Sequence, residues 1–340
     1  MNSLNIIAPN IKSGGGQELL EYLLEHLQEN YKEVQVTVYL DNSMQHIKES
    51  KFRKVVFLDN SFKKIQLFYK KLDNSLYFGN LPPLRKSHNS MVYFHNLYLL
   101  MSTKKLFSSS LKFFIKYTLQ QLYIYNFVKN VDIVACQNED IKNKFIEKYS
   151  FNSVELLPFF RLCDRKLQQG ISKIYDFCYV SLAHPHKNHH RLIEACEILS
   201  NKNVSFSLAL TIEDGHDELI EKINHVNQKG NVKIINLGQL SKENVCKLYA
   251  QSRCLIFPST EETFGLGLIE AVNMDLDIIA SDLSYVYQSV EPSLVFNPNS
   301  SMDISLKIKE YLNGNIKKSK SKIDNEIDKM IQILMKNADE

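Results

Sequence analysis

Glu262 and Glu270 flank the stretch TFGLGLI, directly after the apolar run CLIFPST. The chain has only 11 glycines in 340 residues, yet two of them stand between these carboxylates. A buried strand over Cys254–Phe257, broken at Pro258, and a helix starting near Phe264 to Leu266 would put Glu262 in the loop. Glu270 would then lie about a turn inside the helix. The backbone N–H groups of Thr263, Phe264 and Gly265 would sit at the positive end of the helix dipole, a seat for an anion such as a diphosphate. The two carboxylates could accept hydrogen bonds from hydroxyls, which sugars present. A capped surface helix carrying two unrelated acids fits the same spacing.

A second cluster stands in FCYVSLAHPHKNHHRLIEACEIL, residues 177–199, where a strand gives way to a loop with His184, His186, Lys187 and Asn188. Zinc is a poor fit, because no Cys or carboxylate completes a ligand set there and a lysine repels the cation. Either the loop is simply polar and exposed, or Lys187 neutralises a diphosphate across a cleft from the helix seat. In the first half, SGGGQELL opens a helix after the first strand, so Gly14, Gly15 and Gly16 form a tight turn or a ligand loop. MVYFH ends a strand at His95, which is either a satisfied structural histidine or a group facing ligand.

These positions need strands to deliver them. Strand-like runs at Leu4–Ala8, Val34–Tyr39, Lys54–Leu58, Ser75–Phe78, Met91–Phe94 and Asp132–Cys136 alternate with helical patterns, the signature of parallel α/β layers. The pattern restarts at Phe177–Ser181, Ser205–Thr211, Val232–Asn236, Cys254–Phe257 and Asp277–Ala280. The expected organisation is a domain over 1–160, a second over 174–315, and a C-terminal helix over 316–340 free to pack back on the first. Open parallel sheets take ligands at the carboxyl ends of their strands, where the unusual residues fall.

Composition narrows the classes. A net charge of +3 gives no bulk attraction to nucleic acid. The opening MNSLNIIAPNIKSGGG has neither a basic start nor a long apolar run, so no signal peptide is expected, and no apolar run is long enough for a membrane span. The six cysteines show no CxxC spacing and read as buried, reduced thiols of a cytoplasmic protein. Between Lys104 and Lys129, Leu111, Ile115, Leu119 and Leu122 form a stripe at helical spacing, read as core. Aromatics beside Lys112 and Lys116 would also suit an anionic bilayer surface, so peripheral membrane contact stays open.

Glu262-Thr-Phe-Gly-Leu-Gly-Leu-Ile-Glu270 resembles the E-x7-E motif of the family 4 retaining glycosyltransferases, with FPST before it and EAVNMDLDIIASD after it also similar. The likeness runs over most of the chain, most strongly from about Tyr175 to Pro298. It implies the GT-B fold: α/β, two Rossmann-like parallel-sheet domains facing a central cleft. By motif position it implies that Glu262 binds the donor sugar's hydroxyls and Glu270 the nucleotide ribose. It further implies that His95 hydrogen-bonds the donor sugar and that Gly15 and Gly16 face the donor phosphate and the acceptor. The Lys187-Asn188 segment is similar to that of members assembling bacterial surface polysaccharides, O-antigen or capsule. One position departs: where many relatives carry an arginine five residues before the lysine, this chain has Leu182, leaving His184 or His186 to share the charge or the diphosphate to be held by fewer cations.

The function so implied is retaining transfer of a sugar from a nucleotide-sugar to a saccharide acceptor, carried on a lipid in surface polysaccharide synthesis. Neither metal nor prosthetic group is expected, nor nucleic acid as a partner. The expected location is the cytoplasm, at the inner face of the cytoplasmic membrane. The rivals are a nucleotide-sugar hydrolase or epimerase, and a non-catalytic subunit of a polysaccharide-assembly complex.

Overall fold

Short apolar runs alternate with amphipathic helices, and each run pairs in parallel with a neighbour. The computed structural model describes residues 3–12, 15–51, 53–107, 110–165 and 170–335. They divide into two compact units, Met1–Arg161 with Asp324–Glu340, and Leu162–Ile323. Gly14 of the predicted glycine turn and the last five residues of the predicted final helix lie outside the described residues.

The first unit runs β1 (Ser3–Ala8), α1 (Gly15–Asn30), β2 (Gln35–Asp41), β3 (Arg53–Leu58), α2 (Ser61–Tyr69), β4 (Ser75–Phe78) and β5 (Ser90–Phe94). There follow α3 (Thr103–Phe107), α4 (Leu111–Phe127), β6 (Ile133–Cys136), α5 (Glu139–Tyr149) and β7 (Val154–Leu156). The sheet order is β3-β2-β1-β4-β5-β6-β7, parallel throughout. Every residue of β4 and β5 is buried, because helices cover both faces and leave no solvent side to alternate with. On one face α1 buries Leu19, Leu20, Leu23, Leu24 and Leu27, each contributing roughly 1.5–3 kcal/mol if fully desolvated.

The second unit runs β8 (Tyr175–Tyr179), α6 (His189–Asn201), β9 (Phe206–Leu210), α7 (Asp217–Gln228), β10 (Val232–Asn236), α8 (Lys242–Gln251) and β11 (Ser252–Phe257). It continues through α9 (Leu266–Asn273), β12 (Asp277–Ser281), α10 (Ser284–Ser289), β13 (Val290–Glu291), β14 (Leu294–Phe296), α11 (Ser301–Leu312) and β15 (Lys320–Ser321). Its parallel sheet has the order β10-β9-β8-β11-β12-β14. The winding direction reverses between β8 and β11, which makes their shared edge the switch point of the sheet.

The chain then returns to the first unit as α12 (Ile327–Met335), whose Ile327, Met330, Ile331 and Leu334 join the α1 leucines in one core. Asp328 fixes the return, hydrogen-bonded to His26 at 2.7 Å and accepting from the Tyr31 hydroxyl at 2.9 Å. Residues 316–323, read as part of the final helix, instead stay with the second unit, where β15 pairs antiparallel with β13.

Two expectations are corrected here. The α4 stripe read as core faces solvent: Leu111 is 69% exposed, Ile115 48%, Leu119 61% and Leu122 55%. The buried side is Tyr117, Gln121 and Ile124, because α4 packs on the turn near residues 97–101, whose Tyr98 and Met101 carbonyls accept from the Gln121 amide at 3.2 and 3.0 Å. The cysteines are also not all thiols. Cys163 and Cys246, 83 positions apart, are joined in a disulfide with Cα atoms 5.5 Å apart, a proximity created by the fold and not by local spacing. Cys136, Cys178, Cys196 and Cys254 are free and buried, and burial pushes the first three thiols up to about 12.

Candidate functional site

The loops that follow β8 and β11 leave the sheet side by side at the switch point. After β8 the chain makes a tight turn over Pro185–Lys187 and enters α6 through Asn188, whose φ of 63° is the left-handed conformation that asparagine tolerates. After β11 it enters α9 through Gly265 at φ 71°. A Cβ at Gly265 would stand 2.9 Å from Leu268 Cδ1, and one at Gly267 would stand 3.2 Å from the Phe257 ring. Both glycines are therefore set by backbone needs, a left-handed entry to the helix and its close approach to β11.

The two loops are tied together. The His186 carbonyl accepts from the Thr260 N–H at 2.8 Å and from the Ser259 and Thr260 hydroxyls at 3.2 and 3.1 Å. The Asn188 amide donates to the Pro258 and Pro298 carbonyls at 3.1 and 2.8 Å, so its N–H groups hold loops together and are not turned to a ligand. Tyr179 donates to the Lys187 carbonyl at 2.9 Å and Tyr285 to the Ser259 carbonyl at 2.8 Å.

This framework brings Lys187 Nζ to 2.5 Å from Glu262 Oε1, with both side chains less than one-fifth exposed. Lys187 and the start of α9 thus belong to the same unit, at the ends of adjacent strands, which corrects the expectation of a lysine opposite the helix seat. Thr263 is half-buried and Phe264 buried at the α9 entry, where Ser289 donates to the Phe264 carbonyl at 2.7 Å. Glu270 is 5% exposed, paired with Lys242, and takes a 3.4 Å hydrogen bond from the Tyr249 hydroxyl.

Lys242 was not visible as a site residue in the sequence. It follows the cap Ser241 and occupies the first position of α8, where a cation opposes the helix dipole. That mismatch was the available signal; its carboxylate lies 28 residues away in α9.

His184 is exposed and stacks on the half-buried His186 at 5.8 Å. Burial, and then the neighbouring Lys187 charge, hold the His186 imidazole below the ordinary histidine range. Leu182 is 41% exposed. Among the described residues no three His, Cys, Asp or Glu side chains are grouped to hold a metal ion.

His95 and Gly16 meet within the first unit. A Cβ at Gly16 would stand 3.4 Å from His95 Nε2 and 3.3 Å from Ile11, so only glycine lets α1 begin this close to the end of β5. Gly15 has open space around it. The His95 ring packs on Phe78 at 5.4 Å; its buried Nδ1 has no hydrogen-bond partner, and burial pulls the imidazole down to about 4. His95 is thus a neutral histidine at the carboxyl edge of its sheet, near the β1–β4 switch point.

Two Rossmann-like parallel sheets of seven and six strands give the chain the GT-B fold. Residues 166–330 match the family described as glycosyl transferases group 1. One similar relative is the serotype-specific mannosyltransferase WbdA of Escherichia coli, 34% identical over 140 residues that make up 40% of this chain and 17% of that protein. The match thus spans about one-sixth of the relative's length. Among solved structures, the fold resembles sucrose-phosphate synthase from Thermosynechococcus elongatus, with a TM-score of 0.66 at 16% identity over 92% of this chain and 90% of that one. It also resembles Anabaena HepE in complex with UDP and glucose, with a TM-score of 0.62 at 16% identity over 98% and 93%.

Proposed function

We propose that the chain transfers a hexosyl group from a nucleotide-sugar to a saccharide acceptor, with retention at the anomeric carbon, in the assembly of a bacterial surface polysaccharide. The observation that carries this is the Lys187–Glu262 pair at the switch point of the second sheet. In this reading Lys187 exchanges Glu262 for the donor's diphosphate, and Glu262 turns to the sugar hydroxyls. The departing diphosphate is stabilised by Lys187 and by the N-terminus of α9 at Thr263, Phe264 and Gly265, which is electrostatic preorganisation. Glu270 holds the ribose. His95, neutral at the edge of the first sheet, can donate or accept one hydrogen bond to the sugar without adding charge. No step here needs a metal ion. The relative named as a mannosyltransferase makes a GDP- or UDP-linked mannose the first donor to test, and a lipid-carried saccharide the acceptor to offer with it, at the inner face of the cytoplasmic membrane.

The test is incubation with GDP-, UDP- and ADP-sugars, with and without a saccharide acceptor, following nucleoside diphosphate release and the anomeric configuration of the product. Acceptor-dependent release with retained configuration is the expected result. Release of free sugar or a rearranged donor without acceptor would instead indicate a hydrolase or epimerase. The exposed Leu182, which supplies no second cation to the loop, favours one rival, a non-catalytic subunit. Donor binding without turnover across the whole panel would establish that rival.

A further inference from the structure

The solvent face of α4 carries Leu111, Ile115, Leu119 and Leu122 in a line at helical spacing, each about half or more exposed. Next to α4, Phe107 of α3 is 70% exposed and its ring meets Phe114 edge-on at 5.4 Å. On α2, Phe62 and Ile65 are 67% and 55% exposed. Both α2 and α4 pack their opposite sides into one cluster, through Leu67, Phe68, Tyr117 and Ile124, so both cover the same face of the first sheet. Rows of large apolar side chains on helices that already have a buried face mark a surface built to be covered.

The segment that carries α3 and α4 has charge of one sign. From residue 74 to residue 131 the chain contains no Asp or Glu, but Arg85, Lys86, Lys104, Lys105, Lys112, Lys116 and Lys129. Lys112 and Lys116 each stand one position after an apolar stripe residue, and both are exposed. Lysines beside an apolar stripe can lay their alkyl stems along it and extend their ammonium groups to phosphates. Lys112 and Lys116, on a helix that contains no Asp or Glu, complement an array of anionic headgroups. Among the described residues no helix is long and apolar enough to cross a membrane, so the fitting geometry is a helix lying in the interface.

We propose that the exposed face of α4 docks the first unit on an anionic phospholipid bilayer, with the leucine stripe in the acyl boundary and Lys112 and Lys116 at the headgroups. The experiment is flotation of the full chain with phosphatidylcholine vesicles, with and without phosphatidylglycerol, at low and high salt. The wild type should float with phosphatidylglycerol vesicles and be released by salt. Lys112→Glu with Lys116→Glu should weaken that binding on the order of thirtyfold, from about 1 kcal/mol per lysine at an anionic surface. Ile115→Gln with Leu119→Gln should abolish it. All four side chains face solvent, so both variants should keep the wild-type melting temperature. Equal flotation of wild type and variants would overturn the proposal, as would flotation independent of lipid charge, or none by any of them. A wild-type dimer in lipid-free sedimentation that the Ile115→Gln, Leu119→Gln variant dissociates would also overturn it, by showing that a second copy covers the stripe.

Discussion

Lys187 Nζ donates to Glu262 Oε1 at 2.5 Å, joining the loop after β8 to the loop after β11. The pair lies 75 positions apart in sequence and is held by contacts that involve neither charge: the His186 carbonyl takes the Thr260 N–H, and Asn188 bridges to Pro258 and Pro298. The two groups are thus presented together by the loops that carry them. In the proposed reaction each has a second partner, phosphate for the lysine and hydroxyls for the carboxylate.

Lys187→Ala should lower kcat/KM for the donor by roughly tenfold to two-hundredfold, the equivalent of about 1.5–3 kcal/mol for hydrogen bonds to a charged group. Because Lys187 and Glu262 share one ion pair, their effects should not add. The double variant Lys187→Ala, Glu262→Gln should lose less than the sum of the two single losses. Steady-state kinetics on the four proteins checks this, and an unchanged kcat/KM for Lys187→Ala would remove the lysine from the site.

The two glutamates should separate kinetically. Glu262 is placed against the transferring sugar, where contacts can tighten as the ring gains positive charge, so Glu262→Gln should chiefly lower kcat. Glu270 is placed against the ribose, which does not react, so Glu270→Gln should chiefly raise the donor KM. The structure adds a difference in stability. Glu270 is buried with Lys242 as its counter-ion, so Glu270→Gln should also lower the melting temperature. Adding Lys242→Gln should recover the melting temperature without recovering KM. If the double variant regained both, Glu270 would be a structural carboxylate.

Much of this was legible before the fold was known. The β-branched runs gave the central strands of both sheets, since a strand buried on both faces is written as a continuous apolar run. The sequence reading lacks the short β7 and β14 and also the helices α2, α5 and α11, although these helices are about as amphipathic as α1, α6 and α8. For α4 the periodicity was correct and its direction wrong: a leucine stripe reads as core unless the opposite side has its own partner, here the carbonyls that Gln121 satisfies. Glu262, Glu270 and Lys187 stood out by type and position. Lys242 and the Cys163–Cys246 pair did not, because both relationships exist only after distant elements meet.

The disulfide can be checked directly. Thiol titration of the denatured, unreduced chain should count four free cysteines, Cys136, Cys178, Cys196 and Cys254. A count of six would show that Cys163 and Cys246 are unpaired. Opening a crosslink that spans 83 positions should cost the second unit roughly 4–5 kcal/mol by the chain-entropy estimate. Reductant, or Cys163→Ser, should accordingly lower its melting temperature.

His189 gives the second unit a pH dependence of definite sign. Its ring is 2% exposed, lies 4.8 Å from the Tyr179 ring, and has no hydrogen-bond partner at either nitrogen. Burial pulls its pKa from 6.5 down to about 4, a shift to which the nearby Lys187 also contributes and which Glu213 opposes. Below pH 6.5 the unfolded chain takes up a proton that the native imidazole refuses until about pH 4. The unfolded state therefore binds more protons across that window, and stability falls as the pH falls through it. The loss should reach about 3 kcal/mol by the lower end and grow no further from this group. His189→Phe keeps an aromatic ring against Tyr179 and removes the titration. It should match or exceed the wild type in thermal stability at neutral pH, and its stability should decline less between pH 6.5 and pH 4. His95, pulled to about 4 in the first unit, supplies a similar slope that remains in the variant. Parallel pH profiles for wild type and His189→Phe would show that the buried imidazole finds a partner for its charge, and the account of a neutral histidine beneath the Lys187 loop would fail.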